Sequence, residues 1–207
     1  ARKVTHRRVP TVTEKRKESI MKIAVLALQG AFYEQEQLLQ KLGTDYMELR
    51  KKEDLTEPFD GLILPGGEST AQGKLLRELD MLRPLREKIR DGLPVLATCA
   101  GLILLAEKSA NDTRSYFQTL PVTVRRNAYG RQLCSFHTVR DFGGMKDIPM
   151  TFIRAPYIES VRDDVEILAK ARGNIVGVRY QNQLALSFHP ELDTDMRIHQ
   201  YFLSFIS

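Results

Sequence analysis

The stretch LPVLATCAGLILLAE (93–107) decides how the rest of this 207-residue chain is read. An apolar run stops at the small residues Thr98, Cys99, Ala100 and Gly101, then resumes as GLILLAE. That is the pattern of a buried strand, a sharp turn and a helix. Taken alone, a free cysteine is a small core hydrophobe. On a strand-to-helix elbow its side chain projects from the end of the sheet, and the positive end of a helix favours a thiolate. The serine form of such an elbow reads G-x-S-x-G. Ala100 and Gly101 fit its second half.

The neighbouring sequence supplies a sheet for this elbow. KIAVLAL (22–28) is a continuous apolar strand, as expected where both faces are buried. Gln29-Gly30 breaks it, and AFYEQEQLLQKLG has helical spacing with Gly43 as the stop. DYMELR is a second strand, and FDGLILPGGEST (59–70) is a third that ends in a glycine turn. AQGKLLRELDMLRPLREKIRDG reads as helix broken near Pro84. The alternation predicts an α/β fold with a mostly parallel, doubly wound sheet. From Pro121 the texture changes to short alternating strands, with turns at Gly173-Asn174 and Gln181-Asn182. DTDMRIHQYFLSFIS closes as a helix capped by Asp193 or Thr194.

Charge narrows the possible partners. Residues 1–20 hold seven Lys/Arg and two Glu, which accounts for the whole net charge of +5. Positions 21–207 carry 24 basic and 24 acidic residues, so the predicted body is neutral. A basic leader can be a nucleic-acid or membrane-surface arm. Glu14 and Glu18 fit a transit peptide poorly. The reading preferred here is an appended leader before a domain that starts at Met21 and runs to Ser207, with no nucleic-acid or membrane partner. No apolar run approaches the roughly 20 residues of a membrane span. Cys99 and Cys134 form no disulfide framework or metal pattern, which suits the cytoplasm.

Three strands end in turns that carry chemistry: LPGGEST, LATCAG and LSFHPEL. In open α/β sheets, sites form at the carboxyl ends of strands. A cysteine nucleophile needs a base, and the base an orienting carboxylate. His189 and Glu191 stand two apart, so an extended segment puts them on one face. An acyl-transfer site also needs N–H donors for a developing oxyanion. The N–H groups of Gly67 and Ala100 are the candidates. GGEST lacks the Gly-Lys-Ser/Thr ending of a phosphate loop.

The order PGGEST, TCAG, HPE resembles class I glutamine amidotransferase domains. ALQGA (27–31), RNAYGRQ (126–132), FIRAP (152–156) and SFHPEL (187–192) are similar, more narrowly, to the glutaminase subunits of pyridoxal 5′-phosphate synthase. The resemblance spans 21–207. It implies a three-layer flavodoxin-like fold and hydrolysis of L-glutamine to glutamate and ammonia without a cofactor or metal. It also implies a (β/α)₈-barrel synthase partner that takes the ammonia. Carried over position by position, Cys99, His189 and Glu191 form the triad, and Gly67, Glu68, Ser69, Arg126, Ile153 and Arg154 contact glutamine. Charges of both signs suit a zwitterionic substrate.

The chain departs from that pattern at Cys134, His137 and Tyr157, and in the stretch DTRSYFQTLPVTV (112–124). These positions bear on partner contacts more than on the triad. Two other readings use the same residues: a stand-alone cysteine amidase or γ-glutamyl hydrolase, and a silent scaffold subunit. The RNAYGRQ and FIRAP pair argues against the first, the intact triad against the second.

Overall fold

In a computed structural model of the chain, which describes residues 20–126, 135–162 and 164–206, a central sheet lies between two covering layers. β1 (Lys22–Leu26), β3 (Gly61–Leu64) and β4 (Val95–Thr98) run parallel, with β2 (Asp45–Leu49) outside β1 and β12 (Gln183–Leu186) beyond β4. Alternate residues of these strands face opposite sides. Leu26, Leu64 and Ala97 pack with Leu76 of α2 (Ser69–Glu78), Leu85 of α3 (Leu82–Arg90) and Leu102 of α4 (Ala100–Leu105). Ile23, Val25, Ile63 and Leu96 pack with Leu39 of α1 (Phe32–Lys41) and Phe202 of the last helix, α5 (Arg197–Leu203). Both faces are covered, which is why β3 is apolar throughout and β1, β4 and β12 carry one polar residue each, at a strand end. The doubly wound α/β arrangement matches the expectation.

Past β12 the sheet changes direction. β11 (Asn174–Tyr180) pairs antiparallel with β12, with β10 (Glu166–Ala171) and with β9 (Tyr157–Val161). β9 in turn pairs antiparallel with β6 (Leu120–Arg125), and β5 (Ala106–Ser109) runs parallel to β6 at the edge. A separate hairpin of β7 (Ser135–Phe142) and β8 (Met145–Ile153) packs Phe142, Ile148, Met150 and Phe152 into the α1–α5 layer. No helix among the described residues is long and apolar enough to cross a membrane.

Several local expectations are corrected. The break between α2 and α3 falls at Asp80, which has a φ of 54°, and Pro84 sits in the first turn of α3, where its missing N–H costs nothing. GLILLAE stays helical only to Leu105, because Phe117 and Thr119 donate to the carbonyls of Leu104 and Leu105 and the chain leaves as β5. The β10–β11 turn is centred on Arg172-Gly173, one residue earlier than read. Neither Asp193 nor Thr194 caps α5; its N-cap is Met196, and Asp195 takes the Arg197 N–H at 2.9 Å. The leader up to residue 19, Cys134 and most of RNAYGRQ lie outside the described residues.

Candidate active site

Three adjacent strands deliver the three turns to one place. Leu64 of β3 is in register with Ala97 of β4, and Thr98 of β4 with Leu186 of β12. The segments that follow are Pro65-Gly66-Gly67, Cys99, and Ser187-Phe188-His189. The Cys99 N–H donates to the Leu186 carbonyl at 2.8 Å, so the elbow is tied to β12 directly. Cys99 itself has φ 49° and ψ −101°, a conformation unfavourable for a residue with a Cβ. That is the strained geometry of a nucleophile elbow.

His189 lies between Cys99 and Glu191. Its Nδ1 is 2.6 Å from Glu191 Oε1, which leaves Nε2 for the sulfur. Both side chains are buried, Glu191 completely. Burial works against an imidazolium, but hydrogen bonds to Cys99 and Glu191 outweigh it and push His189 up to about 10. The ring therefore rests protonated at neutral pH, ready to act as an acid. Its backbone is fixed as well: the His189 N–H donates to the Thr151 carbonyl of β8 at 2.9 Å.

The glycine turn closes over the same ring. A Cβ on Gly66 would sit 2.3 Å from His189 Cε1, so only glycine fits there. The Gly66 carbonyl accepts from Ala31 N–H at 2.9 Å. That bond orients the 66–67 peptide, and with it the Gly67 N–H on the opposite side. Gly67 has φ 152°, and a Cβ on it would meet Gln29 Oε1 at 2.5 Å. Among the described residues neither the Gly67 N–H nor the Ala100 N–H donates to a protein acceptor.

A cavity of about 410 Å³ opens beside Cys99. Of the candidate residues, Gly67, Glu68, Ser69, Ala100, Arg126, Ile153, Arg154 and His189 all line it with Cys99, and Glu191 stands behind His189. The Ile153 carbonyl is 3.9 Å from the sulfur. The Arg126 guanidinium reaches Glu68 Oε1 at 3.3 Å and also pairs with Asp112. A nucleophile with its base, two free N–H groups and charges of both signs around one cavity can perform acyl transfer on a small zwitterion.

Two residues of the site were assigned no role from sequence. Gln29 lines the cavity and accepts the Glu68 N–H on its side chain at 2.8 Å. Gln72, fully buried, donates to the carbonyls of Gln29 and Pro65 at 3.0 and 3.1 Å and so joins the first turn to the second. The ALQGA motif was the available signal for Gln29; a single buried amide such as Gln72 leaves none. His137 faces Asp193 at 3.4 Å, outside the cavity lining. His199 is buried against Gln35 of α1, its Nε2 2.7 Å from Oε1. No metal-ligating cluster occurs among the described residues.

Comparison with known proteins agrees with this geometry. A protein of Desulfitobacterium hafniense named pyridoxal 5′-phosphate synthase subunit PdxT is 68% identical over 187 residues, 90% of this chain and 94% of its own length. The protein of that name from Streptococcus pneumoniae is 53% identical over 187 residues, 89% of this chain and 97% of its own. A crystal structure of a glutamine amidotransferase superposes with a TM-score of 0.84 at 42% identity, covering 89% of this chain and 98% of that one. The profile of the SNO glutamine amidotransferase family matches residues 25–207, and the chain belongs to that family.

Proposed function

We propose that this chain is the glutaminase subunit of a pyridoxal 5′-phosphate synthase, working in the cytoplasm, where Cys99 stays reduced. The observation that carries the reading is the Cys99–His189–Glu191 alignment at the floor of a cavity lined by Glu68 and Arg126. Glutamine enters with its α-carboxylate toward the arginines and its ammonium toward Glu68. The Cys99 thiolate attacks the side-chain amide carbon, and the oxyanion is held by the N–H groups of Gly67 and Ala100. His189 gives its proton to the departing nitrogen, so ammonia leaves and a γ-glutamyl thioester remains. The neutral ring then takes a proton from water, hydroxide adds to the thioester, and glutamate is released with the sulfur restored. Glu191 holds the ring orientation throughout.

Ammonia made in the open would be lost, so a partner that consumes it fits the site: a (β/α)₈-barrel synthase subunit. Exposed apolar side chains support docking around the cavity. Ile153 on its lining, Leu192 just past Glu191 and Tyr33 in the first turn of α1 are each two-fifths exposed or more. The 66–67 peptide, held by one hydrogen bond from Ala31, is the hinge by which docking would complete the oxyanion hole. The test is glutamate release from L-glutamine with and without the synthase subunit. Activity that rises on adding the partner supports a gated subunit; equal activity alone points to a stand-alone amidase.

A further inference from the structure

The loop between β5 and β6 includes the start of the stretch 112–124 that departs from the family pattern, and the triad mechanism gives it no role. It runs beside the end of β6, where the Ala110 N–H donates to the Val124 carbonyl at 2.7 Å. The next two residues grip Arg126 in two ways. Asn111 Nδ2 donates to the Arg126 carbonyl at 2.9 Å, and the Arg126 N–H returns a bond to Asn111 Oδ1 at 3.0 Å. Asp112 takes the Arg126 Nη1 on its carboxylate. The two side chains are 12% and 15% exposed, so this pair is largely shielded from solvent.

Asp112 is itself fixed from behind. Arg114 binds it with Nε at 2.9 Å and 3.1 Å and Nη2 at 2.7 Å, and Arg114 N–H adds a bond at 3.0 Å. These bonds, with those from Arg126, hold the Asp112 carboxyl well below the usual carboxylate range despite its burial. It is an anion at every pH at which the enzyme would work. On the far side, Arg126 Nη2 reaches Glu68 at 3.3 Å and Thr70 Oγ1 at 3.4 Å. Three of the five guanidinium donors are thus engaged among the described residues, and Nε–H and the second Nη1–H remain on separate edges, each able to take one oxygen of a ligand carboxylate.

We propose that Asn111 and Asp112 are positioning residues: they clamp Arg126, backbone and guanidinium, so that a remaining N–H meets the α-carboxylate of glutamine. An arginine already ordered loses less freedom on binding, so the clamp lowers KM without touching the chemical step. This rests on the reading of Arg126 as a substrate contact. Charge alone predicts the opposite sign, because removing an anion beside Arg126 should strengthen its pull on a carboxylate. The two effects are therefore separable by experiment.

The test uses the full chain with its synthase partner and compares Asn111→Ala, Asp112→Asn and Arg126→Ala. KM for L-glutamine should rise roughly tenfold in each of the first two and further in the third, with kcat within about threefold. Alkylation of Cys99 by iodoacetamide, which has no α-carboxylate, should keep its wild-type rate. If Arg126→Ala raises KM while Asn111→Ala and Asp112→Asn leave it unchanged or lower it, the clamp is overturned and the substrate contact stands. If Arg126→Ala leaves KM unchanged, the substrate contact falls and the clamp with it. An equal loss of kcat or of alkylation in the clamp variants would mark a general disturbance and also overturn the proposal.

Discussion

The two ends of the cavity are built differently. At the catalytic end, three neighbouring parallel strands stop in register, and backbone geometry places nearly everything: the strained elbow at Cys99, the Cys99 N–H on Leu186, the His189 N–H on Thr151, and the glycine that lets the 66–67 turn lie on the imidazole. At the binding end, Arg126 leaves the last turn of an antiparallel wing and is aimed by Asp112, Asn111 and Glu68, side chains 14 to 58 residues away in sequence. Strand ends give a position that tolerates little change. Side-chain pairs give one that can be tuned residue by residue. Substitutions at the first end should cost turnover, and at the second end affinity.

The largest effect expected from that division follows Glu191→Gln. The amide cannot support an imidazolium, so kcat should fall about 10³–10⁴-fold with KM nearly unchanged. The His189 titration midpoint, read by NMR, should drop from about 10 toward its ordinary value. A sign follows for stability. A histidine raised from 6.5 to about 10 stabilises the fold below pH 6.5 and loses that contribution as pH climbs to about 10. Wild type should lose more stability than Glu191→Gln over that window; equal losses would place the perturbation elsewhere.

Gly66→Ala should come next. Its methyl group would lie 2.3 Å from His189 Cε1, so the ring must move, and activity should fall at least about a hundredfold while circular dichroism stays native. A fully active variant would show that the turn is not built against the ring. Arg126→Ala should act at the other end, raising KM about 10- to 100-fold. A pure kcat loss there would erase the contrast between the two ends.

The smallest effect lies under the sheet, away from both. His199 is buried against Gln35 and pushed down to about 4 by that burial. The unfolded chain takes up the proton first, so stability falls as pH drops from 6.5 toward 4, by up to about 3 kcal/mol. Glu36, the residue after Gln35 on α1, runs the other way. Burial and then its hydrogen bond with Glu48 raise it to about 7, so it stabilises at low pH and loses this as pH rises from 4.5 to 7. Glu36→Gln should expose the acid loss from His199; urea midpoints at pH 5 and 7 measure it.

How far the sequence could be read follows the same line. β1, β3 and β4 carry apolar runs, the turns after β3, β4 and β12 carry glycine, cysteine and histidine, and so fold and triad positions were visible locally. The 12-to-11 hairpin at Gln181-Asn182 was also legible, because turn residues interrupt alternating strands. β5 was not, since GLILLAE has helical content and only the distant Phe117 and Thr119 end the helix. The break at Asp80 was hidden by the more obvious Pro84. Arg126 entered through the family resemblance, whereas the Asn111–Asp112 grip depends on a meeting of loops that no local pattern encodes. His199 offered no such signal, because its partner Gln35 lies 164 residues away.

The most direct measurement is ammonia release from L-glutamine by the wild-type chain and by Cys99→Ala, each with the synthase subunit present. The account predicts turnover by the wild type and none above background in the variant, with both proteins folded. Turnover by Cys99→Ala at the wild-type rate would contradict it.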